Sequence, residues 1–159
     1  MQEKPSILIV DDEENLRLSL AIILRRVGYD VMGAGTIKEA RQRLEAAAYQ
    51  LTFLDLKLPD ESGLTFLPEL RSRFPDMPVV ILTAHDRLDA AIEAIRMGAR
   101  DFLLKPVDPP LIIEKVAEIL SERQQPGSIG DRSTNLKSLL KKLQPETKPP
   151  PIPPDKPSN

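Results

Sequence analysis

Five short apolar runs punctuate the chain: Ile7–Val10, a weaker one at Val31-Met32, Leu51–Leu54, Val79–Leu82 and Phe102–Leu104. They are continuous rather than alternating, and rich in β-branched or aromatic residues. Strands buried on both faces read this way. Helical spacing fills the gaps. Leu16, Leu20, Ile23, Leu24 and Val27 share one helical face, and Gly28 supplies a stop. Thr36 to Glu39 has the form of a capping box opening a second helix. Ser62 can cap a third helix carrying Leu64, Leu67 and Leu70, with Pro68 deep enough to predict a kink or a late start. A fourth helix is expected from Asp86 through Leu88, Ala91, Ile92 and Ile95 to Gly98. Asp108-Pro109 opens a fifth that carries Leu111, Ile112, Val116, Ile119 and Leu120. Strand and helix thus alternate five times. Right-handed crossovers turn that alternation into an α/β, doubly wound parallel sheet with helices on both faces. The C-terminal ends of all its strands then lie along one edge, where function gathers.

Composition adjusts this picture at one end. The 159 residues are 41% apolar and 29% charged, with a net charge of −2, so the total suggests neither a nucleic-acid binder nor an acidic solvating chain. The absence of cysteine excludes disulfides and thiolate metal sites. The opening MQEKPSILIVDDEE has too short an apolar run for a signal peptide, and no membrane span is visible, so a cytoplasmic protein is expected. Eight of the sixteen prolines lie after Gln125. Residues 1–123 therefore read as the globular part and 124–159 as a proline-rich, largely disordered tail. Within the tail, Leu136, Leu139, Leu140 and Leu143 could form a short amphipathic helix at 135–143. The tail is too short and too rich in proline for a helix-turn-helix module. No direct DNA binding by this chain is expected, and a fragment of a longer regulator fits equally well.

The chemistry collects behind the strands. Asp11 and Asp12 follow the first, Asp55 the third, Thr83 the fourth, and Lys105-Pro106 the fifth. Three carboxylates repel one another, and one lysine does not balance them. The available ligands are all oxygen, which favours a hard divalent ion, Mg²⁺ above all. With that ion present a phosphoryl group becomes a fitting guest, and Asp55 a nucleophile able to form an aspartyl phosphate. Plainer readings exist for each residue taken singly. Asp11 and Asp12 suit a helix N-terminus, Thr83 a strand-end hydroxyl, Phe102 the core, and Lys57 and His85 the exposed surface.

The set IVDDE, LDLKLPDESG, ILTA and FLLKP, taken in this order over roughly residues 5–122, resembles the receiver domain of bacterial response regulators. The resemblance implies a flavodoxin-like sheet with strand order 2-1-3-4-5. It implies that Asp55 accepts phosphate from a histidine kinase, a phosphotransfer protein or a small donor such as acetyl phosphate. It implies that Asp11, Asp12, Asp55 and the Lys57 backbone carbonyl hold Mg²⁺, and that Thr83 and Lys105 contact the phosphoryl oxygens. A cis Lys105-Pro106 bond and a switch pairing Thr83 with Phe102 belong to the same pattern. The face made by the fourth helix, fifth strand and fifth helix would then control a downstream protein effector, and a homodimer formed on phosphorylation is compatible with it. Two alternatives carry different outcomes: a haloacid-dehalogenase-like phosphatase, and a binding module that works without phosphorylation. The first expects a second aspartate where this chain has Lys57.

Overall fold

A computed structural model of the chain describes residues 3–123; the side chains of His85 and Arg123 are outside the described set. The expectations for the tail after residue 123, including the helix at 135–143, also fall outside it. Five strands alternate with five helices: β1 (Ser6–Val10), α1 (Glu14–Arg26), β2 (Asp30–Ala34), α2 (Ile37–Ala46), β3 (Leu51–Asp55), α3 (Gly63–Arg73), β4 (Val79–Thr83), α4 (Leu88–Arg96), β5 (Asp101–Leu104) and α5 (Pro109–Arg123). The strands form one parallel sheet in the order β2-β1-β3-β4-β5.

Every residue of β3 and β4 is buried, which accounts for their unbroken apolar text. Alternate side chains supply the two faces. Ile7, Ile9, Leu51, Phe53, Val80, Leu82 and Leu103 pack with Leu20 and Leu24 of α1 and with Ile112, Val116 and Ile119 of α5. Leu8, Leu54 and Ile81 turn to the other face. There α2, α3 and α4 bury Ile37, Ala40, Phe66, Leu67, Leu70, Ala91 and Ala94.

Local signals explain most element ends. Gly28 and Gly98 take positive φ, 102° and 108°, just beyond the ends of α1 and α4. At α2 the Thr36 hydroxyl accepts from the Glu39 N–H at 3.1 Å. The Glu39 carboxylate reaches back to the Gly35 N–H at 3.0 Å, one residue beyond the usual reciprocal partner, the N–H of Thr36. Two expectations need correction. Of the kink or late start expected at Pro68, the late start does not occur: α3 begins at Gly63, capped by Ser62, and runs on through Pro68. Burial of Phe66, Leu67 and Leu70 around that proline holds the helix, while Pro68 itself is exposed and water can serve the carbonyl it leaves without a donor. The α4 helix begins at Leu88 rather than Asp86. His85–Arg87 forms a 3₁₀ turn first, closed by the Arg87 N–H on the Ala84 carbonyl at 3.0 Å.

Candidate functional site

Strand register brings the chemistry together. Val10 lies beside Leu54, so Asp11, one residue past β1, stands next to Asp55 at the end of β3. Asp55 pairs with Leu82 and Thr83 with Leu104, which sets Thr83 one residue and Lys105 two residues beyond the level of Asp55 along the same edge. Asp11 is fully buried, Asp55 is 6% exposed and Thr83 1% exposed, while Asp12 is open to solvent. One oxygen from each of Asp11, Asp12 and Asp55 falls within a cluster spanning 4.8 Å.

Lys105 is the cation of this cluster. Its Nζ lies 2.7 Å from Asp11 Oδ2, 3.0 Å from Asp55 Oδ2 and 3.0 Å from Glu13 Oε1. The last two are hydrogen bonds; the contact with Asp11 is an ion contact with poorer alignment. Burial alone would lower the lysine's pKa, but these carboxylates more than offset it and raise the value, so the ammonium stays charged. Burial acts the other way on Asp11, raising its pKa, with the Asp55 charge adding to the effect and Lys105 and the Glu13 N–H opposing it. Asp11 Oδ1 accepts from the Glu13 N–H at 2.9 Å, so the plain reading of Asp11 as a turn-capping carboxylate accounts for one of its oxygens. The other faces Lys105.

The backbone around Asp55 is tightly constrained. Asp55 Oδ1 accepts from the Lys57 N–H at 3.1 Å, and Gly63 N–H donates to the Leu56 carbonyl at 2.9 Å. A Cβ on Gly63 would sit 2.4 Å from the Asp55 carbonyl oxygen, so only glycine fits there. The peptide bond Lys105-Pro106 is cis, and the Lys105 N–H donates to the Thr83 carbonyl at 2.8 Å. Thr83 Oγ1 is buried and has no hydrogen-bond partner among the described residues. A buried hydroxyl without a partner is costly, and the register puts Thr83 at the same strand-end edge as Asp11, Asp55 and Lys105. Phe102 is 8% exposed in β5, in register with Ile81. The Lys57 side chain is exposed, and His85 lies on the 3₁₀ turn after β4.

The oxygen-only donor set, the burial of two of its three acids and the orphaned hydroxyl fit a hard divalent cation with a phosphoryl group beside it. Sequence reasoning did not include Glu13, although an acid immediately after the Asp11-Asp12 pair was available as a signal. It also did not include Arg17, whose Nη1 donates to the Asp11 carbonyl at 2.6 Å. No residue pattern announces that contact, because it depends on where the first turn of α1 lies over the end of β1.

Comparison with known proteins agrees with this geometry. Residues 7–117 match the model of the response regulator receiver domain. The chain is 44% identical over 116 residues to the response regulator protein PilR of Pseudomonas aeruginosa, covering 73% of this chain and 26% of PilR. It is 36% identical over 134 residues to the transcriptional regulatory protein BasR of Escherichia coli, covering 82% of this chain and 60% of BasR. The chain therefore spans about a quarter of PilR and of several similar relatives. Among solved structures, a CheY-like receiver domain protein from Methanospirillum hungatei superposes with a TM-score of 0.74 at 32% identity, covering 79% of this chain and all of that one. The receiver domain of NtrX from Brucella abortus gives 0.69 at 34% identity, covering 72% and 98%.

Proposed function

The chain belongs to the response regulator receiver family of two-component systems, and from that premise we propose that it is a cytoplasmic switch set by phosphorylation of Asp55. The observation that carries the reading is the meeting, at one sheet edge, of Asp55, Lys105 and the partnerless Thr83 hydroxyl within an acid cluster. The donor is a phosphohistidine on a sensor kinase or phosphotransfer protein, or a small acyl phosphate. An Asp55 carboxylate oxygen attacks phosphorus, the bond from phosphorus to the imidazole nitrogen breaks, and the departing nitrogen keeps the electron pair and takes up a proton. Asp11, Asp12, Asp55 and the Lys57 carbonyl would hold Mg²⁺, which would supply positive charge beside the phosphoryl oxygens. Lys105 and the Thr83 hydroxyl bond those oxygens. Hydrolysis reverses the modification, so the chain acts on itself rather than turning over a separate substrate.

Engagement of the Thr83 hydroxyl draws β4 toward the phosphoryl group, and Phe102 turns into the space vacated. The face of α4, β5 and α5 then changes its fit for a protein effector or a second copy of the chain. If the chain is part of a longer regulator, as PilR is longer, output would also pass to residues beyond the receiver.

The test is incubation with acetyl phosphate and Mg²⁺ followed by intact mass measurement. The expected result is a gain of one phosphoryl mass that requires Mg²⁺ and is lost in Asp55→Asn. Wild-type protein that stays unmodified while a control receiver is labelled overturns the reading.

A further inference from the structure

Residues 56–62 form a closed loop between β3 and α3. Its base is fastened by the Gly63 N–H on the Leu56 carbonyl and by a bridge between Lys57 and Ser62. Its tip is fastened elsewhere. The Asp60 carboxylate crosses to α2, where Oδ1 accepts from the Ile37 N–H at 3.1 Å and Oδ2 from the Lys38 N–H at 3.0 Å. Partial desolvation raises the Asp60 pKa, but the two N–H groups of α2 and the loop's own backbone N–H groups outweigh it and lower the value, so the carboxylate is held ionised.

The helix does not need this contact for an ordinary cap. Thr36 already serves the Glu39 N–H, and the Thr36 carbonyl takes the Ala40 N–H at 3.0 Å. Asp60 takes the two N–H groups that remain, where the helix dipole also favours an anion. The anchor itself is firm, because Ile37 and Ala40 are fully buried against the sheet. A second strap runs alongside: Arg41 of α2 contacts Glu61 of the loop at 3.0 Å and Glu69 of α3 at 2.9 Å. Those groups are more than a third exposed or nearly so, and the pairs contribute little.

The loop carries what the nucleophile depends on. The Lys57 N–H holds Asp55 Oδ1, and the Lys57 carbonyl is among the groups proposed to hold Mg²⁺. We infer that Asp60 is a positioning residue: by tying the loop tip to the N-terminus of α2, it holds Lys57 and the Asp55 carboxylate in the arrangement that takes up the cation. This rests on the proposed magnesium reading of the Asp55 cluster, and the experiment separates the two.

Wild type, Asp60→Ala, Asp60→Asn and Thr36→Ala are compared by magnesium calorimetry and by hydrogen exchange at the Lys57 amide. Asp60→Ala is expected to raise the Mg²⁺ dissociation constant roughly tenfold, as loss of a group that orients ligands does. It should also speed Lys57 exchange roughly fivefold, the scale of a lost cap. Asp60→Asn, with one acceptor left, should fall between. Thr36→Ala removes only the acceptor of the Glu39 N–H, while the buried Ile37 and Ala40 keep the Ile37 and Lys38 N–H groups in place, so both readings should stay at wild-type values even though its melting temperature falls. Unchanged Lys57 exchange in Asp60→Ala, or an equal change in Thr36→Ala, overturns the inference. Wild type that takes up no Mg²⁺ overturns the magnesium reading, while accelerated exchange in Asp60→Ala would still support the tie.

Discussion

Two lysines sit in carboxylate clusters at opposite ends of β5. Lys115 on α5 reaches Asp101, the first residue of the strand, at 2.7 Å, and the more exposed Glu118 at 3.5 Å. Asp101 is buried, and its other oxygen accepts from the Phe102 N–H at 2.8 Å. One partly buried cation therefore faces one buried anion, and each oxygen of the anion has a partner. Lys105, just past the other end of the strand, faces Asp11, Glu13 and Asp55, with Asp12 close by. Here the acids outnumber the base, and the buried Thr83 hydroxyl at the same sheet edge has no partner among the described residues. The first cluster is a closed structural pair. The second holds more acids than bases around a partly buried lysine, the kind of imbalance that singles out a candidate functional end of the sheet.

The contrast can be broken by removing each lysine. Lys115→Met leaves Asp101 buried without its counter-ion. It should lower unfolding free energy by about 3 kcal/mol in urea melts while Mg²⁺ uptake stays as in wild type. Lys105→Met should cost less, about 2 kcal/mol in chelator, because the exposed Asp12 and Glu13 let water and monovalent cations reach the edge of the buried Asp11 and Asp55. Saturating Mg²⁺ should restore most of that loss, and the variant should bind Mg²⁺ more tightly than wild type. A loss that Mg²⁺ does not repair would put Lys105 in the same structural class as Lys115.

Thr83→Ala sharpens the comparison from the other side. Since the hydroxyl is already unpaired, its removal should change stability by less than about 1 kcal/mol. Labelling by acetyl phosphate should nonetheless slow by roughly tenfold or more, because a donor to the phosphoryl oxygens is lost. Equal labelling rates would remove Thr83 from the site.

The smallest effect is a pH limb. Burial lowers the Lys115 pKa, but the contacts with Asp101 and Glu118 outweigh it and hold the value above the ordinary 10.5. A group bound more tightly to its proton in the folded state stabilises fully below its unfolded pKa and loses that contribution as pH rises through the folded one. Stability should therefore fall as pH climbs past 10.5, and Lys115→Met should flatten part of that fall. Lys105 shifts in the same direction and accounts for a further share.

Much of the site could be read before any coordinates. Asp11, Asp55, Thr83 and Lys105 each stand at or directly after the end of a strand-like run, and the rules of parallel α/β sheets bring such ends to one edge. Glu13 and Asp60 were not read in this way. Glu13 joins Lys105 across 92 positions and Asp60 joins α2 across 22 or 23, and nothing local to either residue specifies its partner. At Pro68 and at the start of α4, local propensity gave the wrong detail. In the first case burial of Phe66, Leu67 and Leu70 carried the helix past a residue that usually breaks one.

Hydrophobic periodicity is a local property, written residue by residue, and it was enough to establish the alternation of strands and helices and which side chains end each strand. Distances of a few ångströms between elements are not local. That Asp11 is sealed from water, that Lys105 meets three carboxylates and that the Thr83 hydroxyl is left without a partner were decided by how the loops cross the sheet edge, because desolvation and ion pairing depend on separation in space rather than along the chain.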